Sequence, residues 1–293
     1  MVRKMIFKFW GTRGSVPVPG KDTVKYGGNT PCVEVRSSSG ELIILDGGSG
    51  IRELGNRLIE NKSRREINIF ISHYHWDHIQ GIPFFLPLYD ENKKITFYGM
   101  TTNGTEIEKL LGTQMQPDYF PVRFEELKAE IEFRNLKPGN TYKINNLNLQ
   151  TSKTNHSSPT LTYKLSEGNK SVVYMTDNEI HWKESPENLS LSNLDSDTRK
   201  LVEFCHGCDY LIHDTMYDES LIKNKTGWGH SSNISLAYFS ILADVKNLVL
   251  FHYNPDYTDF KIDEMLDETL SLLKAKKSKI NCIAAKEGME INL

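Results

Sequence analysis

Cysteine is scarce in this chain, with four in 293 residues, at positions 32, 205, 208 and 282. So thin a supply over such a length excludes a disulfide framework. Missing too is any apolar run near the ~18 residues that a membrane-crossing helix needs. The opening Met1-Val2-Arg3-Lys4-Met5-Ile6-Phe7 lacks the apolar core and cleavage site of a signal peptide. A cytoplasmic protein that does not engage a membrane is therefore expected. Positive charge is not in excess: 35 Lys and Arg face 38 Asp and Glu, a formal net charge of −3. A chain that grips long nucleic acid usually carries a basic face. The clusters Lys62-Ser63-Arg64-Arg65 and Lys274 to Lys279 read instead as solvated surface. No fixed-period repeat, disorder-like tract or Pro/Gly/Ser-rich linker interrupts the sequence. One domain over 1–293 is the expectation.

What is present is an alternation of short apolar, β-rich runs with helical stretches. The strand candidates are 5–10, 32–36, 42–45, 67–71, 95–98, 131–134, 147–151, 161–165, 172–175, 210–212, 248–251 and 280–284, most of them bounded by Gly, Pro, Ser or Asn. Helices are expected over 105–114, 195–204, 234–243 (with Ser232 or Asn233 as cap) and 260–275. Residues 117–121 read as an irregular loop. Strands and helices mixed throughout imply an α/β protein (α+β in some schemes) built in layers.

The densest chemistry lies in Ile71-Ser72-His73-Tyr74-His75-Trp76-Asp77-His78, directly after a strand candidate. Imidazole nitrogen and carboxylate oxygen suit zinc and its first-row neighbours, and the absence of thiolate argues against a closed structural zinc site. In extended backbone, positions i and i+2 point the same way. His73 and His75 can thus share one metal, while Asp77 and His78, after the chain turns, can face a second. Elsewhere one pattern recurs, an apolar strand followed by a ligand-type residue: His156, Asp177, Asp214 and His252. Sites in α/β proteins gather from strand ends in this way.

The run His73-x-His75-x-Asp77-His78, followed by His156, Asp177 and His252, resembles the signature of the metallo-β-lactamase superfamily. The resemblance extends from Leu42-Ile43-Ile44-Leu45-Asp46-Gly47-Gly48 to Phe251-His252-Tyr253. It implies a four-layer αβ/βα sandwich with a two-metal site at one edge. It also implies a ligand set: His73, His75 and His156 for the first ion, Asp77, His78 and His252 for the second, and Asp177 bridging both. The expected ions are two divalent metals, zinc first, with manganese or iron as alternatives that the same ligands suit.

A second segment narrows the branch. His213-Asp214-Thr215-Met216-Tyr217 followed by Gly227-Trp228-Gly229-His230-Ser231-Ser232 is similar to the phosphodiesterase branch, which includes ribonuclease Z and cyclic-nucleotide phosphodiesterases. Ser232 stands where that branch has Thr, and Asp214 where ribonuclease Z has Glu. Hydrolysing a phosphodiester expels a poor leaving group, and a protonated His230 oriented by Asp214 could donate to it. Asp77, His230 and Asp214 are the catalytic candidates. The expected activity is hydrolysis of a small or cyclic phosphodiester by hydroxide held between the metals. RNA is not favoured, because no long basic arm lies between the motifs. A homodimer is expected by family analogy. The rival readings are a ribonuclease Z-like RNA endonuclease, a thioester or lactone hydrolase, and a non-catalytic metal-binding sensor. Arg13, in Gly11-Thr12-Arg13-Gly14-Ser15, is either a phosphate contact or an arginine in a surface turn. Gly27-Gly28-Asn29-Thr30 is a loop of the same kind. Cys205-His206-Gly207-Cys208 is a lone C-x-x-C and reads as structural.

Overall fold

The structure is a computed structural model that describes residues 4–60, 66–101 and 106–293. The chain forms two compact units, Met1–Pro19 with Gly27–Lys137 and Lys286–Leu293, and Gly20–Tyr26 with Pro138–Ala285. The first carries strands β1 (Ile6–Gly11), β2 (Cys32–Arg36), β3 (Leu42–Leu45), β4 (Glu66–Phe70), β5 (Lys94–Gly99) and β6 (Glu130–Asn135). Its helices are α1 (Ile51–Glu60), α2 (Trp76–Ile79) and α3 (Ile107–Gly112). The second carries β7 (Thr141–Ile144), β8 (Leu147–Lys153), β9 (Leu161–Glu167), β10 (Lys170–Met175), β11 (Tyr210–Asp214), β12 (Asn247–Phe251) and β13 (Asn281–Ala284). Its helices are α4 (Ser196–Cys205), α5 (Glu219–Ile222), α6 (Asn233–Leu242) and α7 (Asp259–Ala275). A last strand, β14 (Glu290–Asn292), belongs to the first unit.

Each unit is built on one seven-stranded mixed sheet, β14-β1-β2-β3-β4-β5-β6 and β13-β12-β11-β10-β9-β8-β7. Three pairings in each are antiparallel and three parallel. Parallel neighbours need a crossover, most often a helix. Accordingly α1 joins β3 to β4, α4 joins β10 to β11, α6 lies between β11 and β12, and α7 joins β12 to β13. The fully apolar runs of β3, Leu42 to Leu45, and of β12, Leu248 to Phe251, are buried throughout, as strands inside such a sheet are.

Most expected elements form, with ends shifted by a residue or two. The helix expected over 105–114 is α3 followed by a 3-10 turn, Thr113–Met115; Thr105 lies outside the described residues, as does the cluster Lys62 to Arg65. Helix α1, β7 and β14 were not legible. In α1 the apolar stripe Ile51, Leu54 and Leu58 is interrupted by Gly55, which lets the helix approach Phe85: a Cβ there would sit 2.9 Å from its ring. Strand β7 is a half-exposed edge strand with little apolar content.

Arg13 corrects an expectation. It is not in a surface turn: its side chain is wholly buried and its Nε donates to the Gly27 carbonyl at 2.9 Å. The loop 27–30 is scaffold as well. Thr30 N donates to Ser49 Oγ (3.0 Å), Ser49 N to Thr30 Oγ1 (2.8 Å) and Asn29 N to Glu287 (2.6 Å). All four cysteines are buried thiols. Burial pushes Cys205 well above its ordinary range and Cys208 up to about 12, which suits the structural reading of the C-x-x-C. Lys274, Lys276, Lys277 and Lys279 are exposed around the end of α7. Among the described residues no helix is long and apolar enough to cross a membrane.

Candidate functional site

Site residues gather where the parallel strands end. In the first unit Asp46 follows β3 and the segment His73 to His78 follows β4. In the second, Asp177 follows β10, Asp214 ends β11 and His252 follows β12. Three of them, Asp46 (φ 60°), Asp177 (φ 48°) and His252 (φ 59°), take left-handed backbone. Asp and His tolerate that region better than most residues, yet it costs about 1–2 kcal/mol. Such strain at strand ends is a mark of a functional site.

In the first unit the four expected ligands come together. The rings of His73 and His75 lie 4.4 Å apart between centroids, and those of His73 and His78 4.2 Å apart. The chain turns into α2 right after His75, which brings Asp77 Oδ2 to 3.3 Å from His78 Nε2. Two ligands of a tetrahedral ion held at about 2.0–2.1 Å lie about 3.3 Å from each other. Asp77 Oδ2 also accepts the Ser15 N–H at 2.7 Å. Asp46, fully buried, orients the cluster. It accepts Ser72 N (2.7 Å) and Ser72 Oγ (2.9 Å), and faces His78 Nδ1 at 2.9 Å, so that Nε2 is the nitrogen turned towards Asp77.

In the second unit Asp177 offers its two oxygens to two different histidines. Oδ2 lies 3.6 Å from His156 Nε2, and Oδ1 lies 3.2 Å from His252 Nε2. His156 Nδ1 donates to the Gly229 carbonyl at 3.0 Å. A carbonyl only accepts, so Nδ1 carries the proton and Nε2 of the neutral ring presents a lone pair to Asp177. Two electron-rich atoms so placed call for a cation between them. The donor chemistry therefore fits a divalent metal, and a carboxylate facing two imidazoles fits a bridge. Ligand atoms of Asp177, His230 and His252 all lie within 4.8 Å of one another.

His230 is held differently. Its Nδ1 donates to Asp214 Oδ2 at 2.7 Å. Asp214 is fully buried and also accepts Met216 N (2.8 Å) and Asn178 N (3.3 Å), so its carboxylate is fixed before His230 leans on it. The helix that follows is capped by Ser232, whose Oγ accepts Ser235 N at 3.1 Å, leaving His230 no capping duty. Neighbouring His213 is structural. Burial holds it below its ordinary range, and its nitrogens meet the Asp214 carbonyl (2.7 Å) and Asn178 Nδ2 (3.1 Å).

Sequence reasoning missed Glu179. Its carboxylate accepts the Gly227 N–H and the Gly229 N–H, each at 2.9 Å, and so ties down the turn that leads into His230 and supplies the carbonyl for His156. Burial pushes Glu179 up, but His181 and the two glycine N–H groups outweigh it and hold the carboxyl below its usual range. Glu179 in turn raises His181 to about 9, against burial and with help from Asp195 at 3.0 Å, so His181 is an imidazolium at neutral pH. Only the pair of glycines around Trp228 hinted at such a turn. Gly227 has φ 84° and Gly229 φ 80°.

A cavity of about 560 Å³ opens beside this turn, with His156, Asn155, Lys153, Glu179, His181 and Lys200 in its wall. A Cβ at Gly229 would lie 2.1 Å from His156 Nδ1, whereas one at Gly227 would meet nothing within 4 Å. Gly229→Ala is expected to weaken metal retention about 10–100-fold, the usual cost of losing a ligand's orienting partner. Gly227→Ala is expected to lose only about 1 kcal/mol of stability. Metal titration and thermal melts of the two variants side by side check this, and equal metal affinity in both would refute it.

A family model described as "Anti-Pycsar protein Apyc1" matches residues 34–277. A ribonuclease Z from Picrophilus torridus is 26% identical over 292 residues, covering 90% of each chain. The metallo-β-lactamase fold protein YhfI from Bacillus subtilis superposes with a TM-score of 0.70 at 16% identity, over 99% of this chain and all of that one. A diphosphatase from the PhnP family superposes with a TM-score of 0.68 at 17% identity, over 100% of this chain and 98% of the other.

Proposed function

This chain belongs to the Anti-Pycsar protein Apyc1 family, and on that premise we propose that it is a two-metal phosphodiesterase acting on a small or cyclic, nucleotide-like phosphodiester. It is a metal-dependent hydrolase with the α/β metallo-β-lactamase fold. The proposed ligands are those the resemblance implies: His73, His75 and His156 for one ion, Asp77, His78 and His252 for the other, with Asp177 between them and the two compact units serving as one domain. Zinc is the proposed metal. When bound, such ions lower the pKa of water and offset phosphoryl charge.

The observation that carries the phosphodiester reading is the 2.7 Å pair of His230 and Asp214, set beside Asp177 and His252. Thioesters and activated lactones release leaving groups that need little help. An alkoxide leaving a phosphodiester needs a proton, and His230, aimed by Asp214, is placed to deliver one. Asp77 would hold metal, and the Ser15 N–H that donates to its Oδ2 fixes the carboxylate.

A second reading, an RNA endonuclease, is supported by the ribonuclease Z relative, which spans 90% of this chain. One experiment separates the readings. Metal content is measured on purified protein, and the same preparation is assayed on cyclic nucleotides, bis(p-nitrophenyl) phosphate, a thioester and a structured RNA. About two divalent ions per chain and a preference for the cyclic nucleotides are expected, with loss of both on chelation. Preference for RNA would move the assignment to the second reading, and preference for the thioester would end both.

A further inference from the structure

The turn that carries His230 also holds up an aromatic ring. Trp228 stands between Gly227 and Gly229 and is 57% exposed. A lone exposed aromatic is ordinary on a protein surface, but three features set this one apart. The glycines on either side have their N–H groups pinned by one buried carboxylate, Glu179, so the turn is fixed rather than loose. Lys225 places its ammonium 3.7 Å from the indole centroid, a cation–π contact that orients the ring and adds a positive charge beside it. Gly227 and Gly229 both line the cavity whose wall includes His156, so the backbone that carries Trp228 is anchored on both sides by residues of that wall. The cavity is polar, with Asn155 and Lys153 in its wall beside two ion pairs, Lys200 with Asp197 and His181 with Glu179.

A flat, rigid π-face with a cation beside it, one residue from the His156–Gly229 contact and two from His230, matches a ligand that joins an aromatic base to a phosphate. We propose that Trp228 is a base-stacking platform that selects a mononucleotide over other phosphodiesters. The base lies on the indole, and the sugar with its phosphate extends towards His156 and His230. This rests on the phosphodiester reading above. Lys225 and Trp228 then set affinity for the base, while His230 acts on the leaving oxygen.

The test compares wild type, Trp228→Ala and Trp228→Phe on two substrates, a cyclic nucleotide and the matching ribose cyclic phosphate that lacks a base. Trp228→Ala is expected to raise KM for the cyclic nucleotide about tenfold with kcat unchanged, as loss of one base–aromatic stack does. KM for the baseless substrate should not move, and Trp228→Phe should restore most of the affinity. Binding is read separately through indole fluorescence, by titrating a slowly hydrolysed phosphorothioate cyclic nucleotide. Quenching in wild type that is lost in Trp228→Phe supports the platform. The inference is overturned if Trp228→Ala leaves KM alone, if it raises KM for both substrates alike, or if a single-stranded oligoribonucleotide quenches at lower concentration than the mononucleotide. Its failure is distinct from failure of the parent reading. Trp228 variants that hydrolyse cyclic nucleotides normally sink only the platform, whereas wild type that cleaves no phosphodiester sinks the parent reading.

Discussion

Replacing His230 by alanine should lower kcat on a phosphodiester with an alkoxide leaving group by about 10²–10⁴-fold, the range for losing a positioned general acid, while metal content stays at the wild-type value. The argument rests on how the imidazole is held. Its Nδ1 is committed to Asp214, a buried carboxylate fixed by the N–H groups of Met216 and Asn178. That arrangement fixes the ring and aims Nε2. With a p-nitrophenolate leaving group, which departs without protonation, His230→Ala should lose far less, so the ratio between the two substrates isolates the proton transfer. Asp214→Asn should follow His230→Ala on both substrates, since the amide removes the charge that supports the imidazolium. Because a His230 ligand atom lies within 4.8 Å of ligand atoms of Asp177 and His252, metal analysis is the deciding control. If His230→Ala loses one ion, His230 is a ligand and the general acid must be sought elsewhere.

The second large effect is expected at Asp177. Its two oxygens lie 3.6 Å from His156 Nε2 and 3.2 Å from His252 Nε2, so one side chain serves both histidines. Asp177→Ala should lose more metal than His252→Ala and drop activity at least 10³-fold. Ligand binding to the folded state stabilises it by mass action. Zinc should therefore raise the melting temperature of wild type and leave that of Asp177→Ala nearly unchanged. Full metal occupancy in Asp177→Ala would rule out the bridge. The metal-free variant need not be less stable than metal-free wild type, because alanine relieves electron-rich atoms crowded together and removes a carboxylate from a site that is only 2% exposed. Its left-handed backbone, φ 48°, would still strain the alanine.

The sequence by itself determined most of the strands and the residue types that stand at their ends. Apolar runs such as Leu42 to Leu45 and Leu248 to Phe251 declare strands buried on both faces. A His or Asp directly after such a run lands at a strand end. That is why His73, Asp177, Asp214 and His252 stand out in the sequence. The i, i+2 spacing of His73 and His75 was legible because short-range geometry follows from local backbone, whereas the pairing of Asp214 with His230, 16 positions apart, came only from the family resemblance. Tertiary structure alone decided the partners that orient these groups. Asp46 reaches His78 across 32 positions, Gly229 reaches His156 across 73 and Glu179 reaches Gly229 across 50, and no local pattern encodes which distant carboxylate or carbonyl will close such a contact. The burial of Arg13 was hidden likewise, because solvent exposure is a property of the packed chain. So was helix α1, whose Gly55 looks like a break until Phe85 is seen to need the space. The chemistry of the site is written in residue types. Its orienting contacts exist only once each unit has folded.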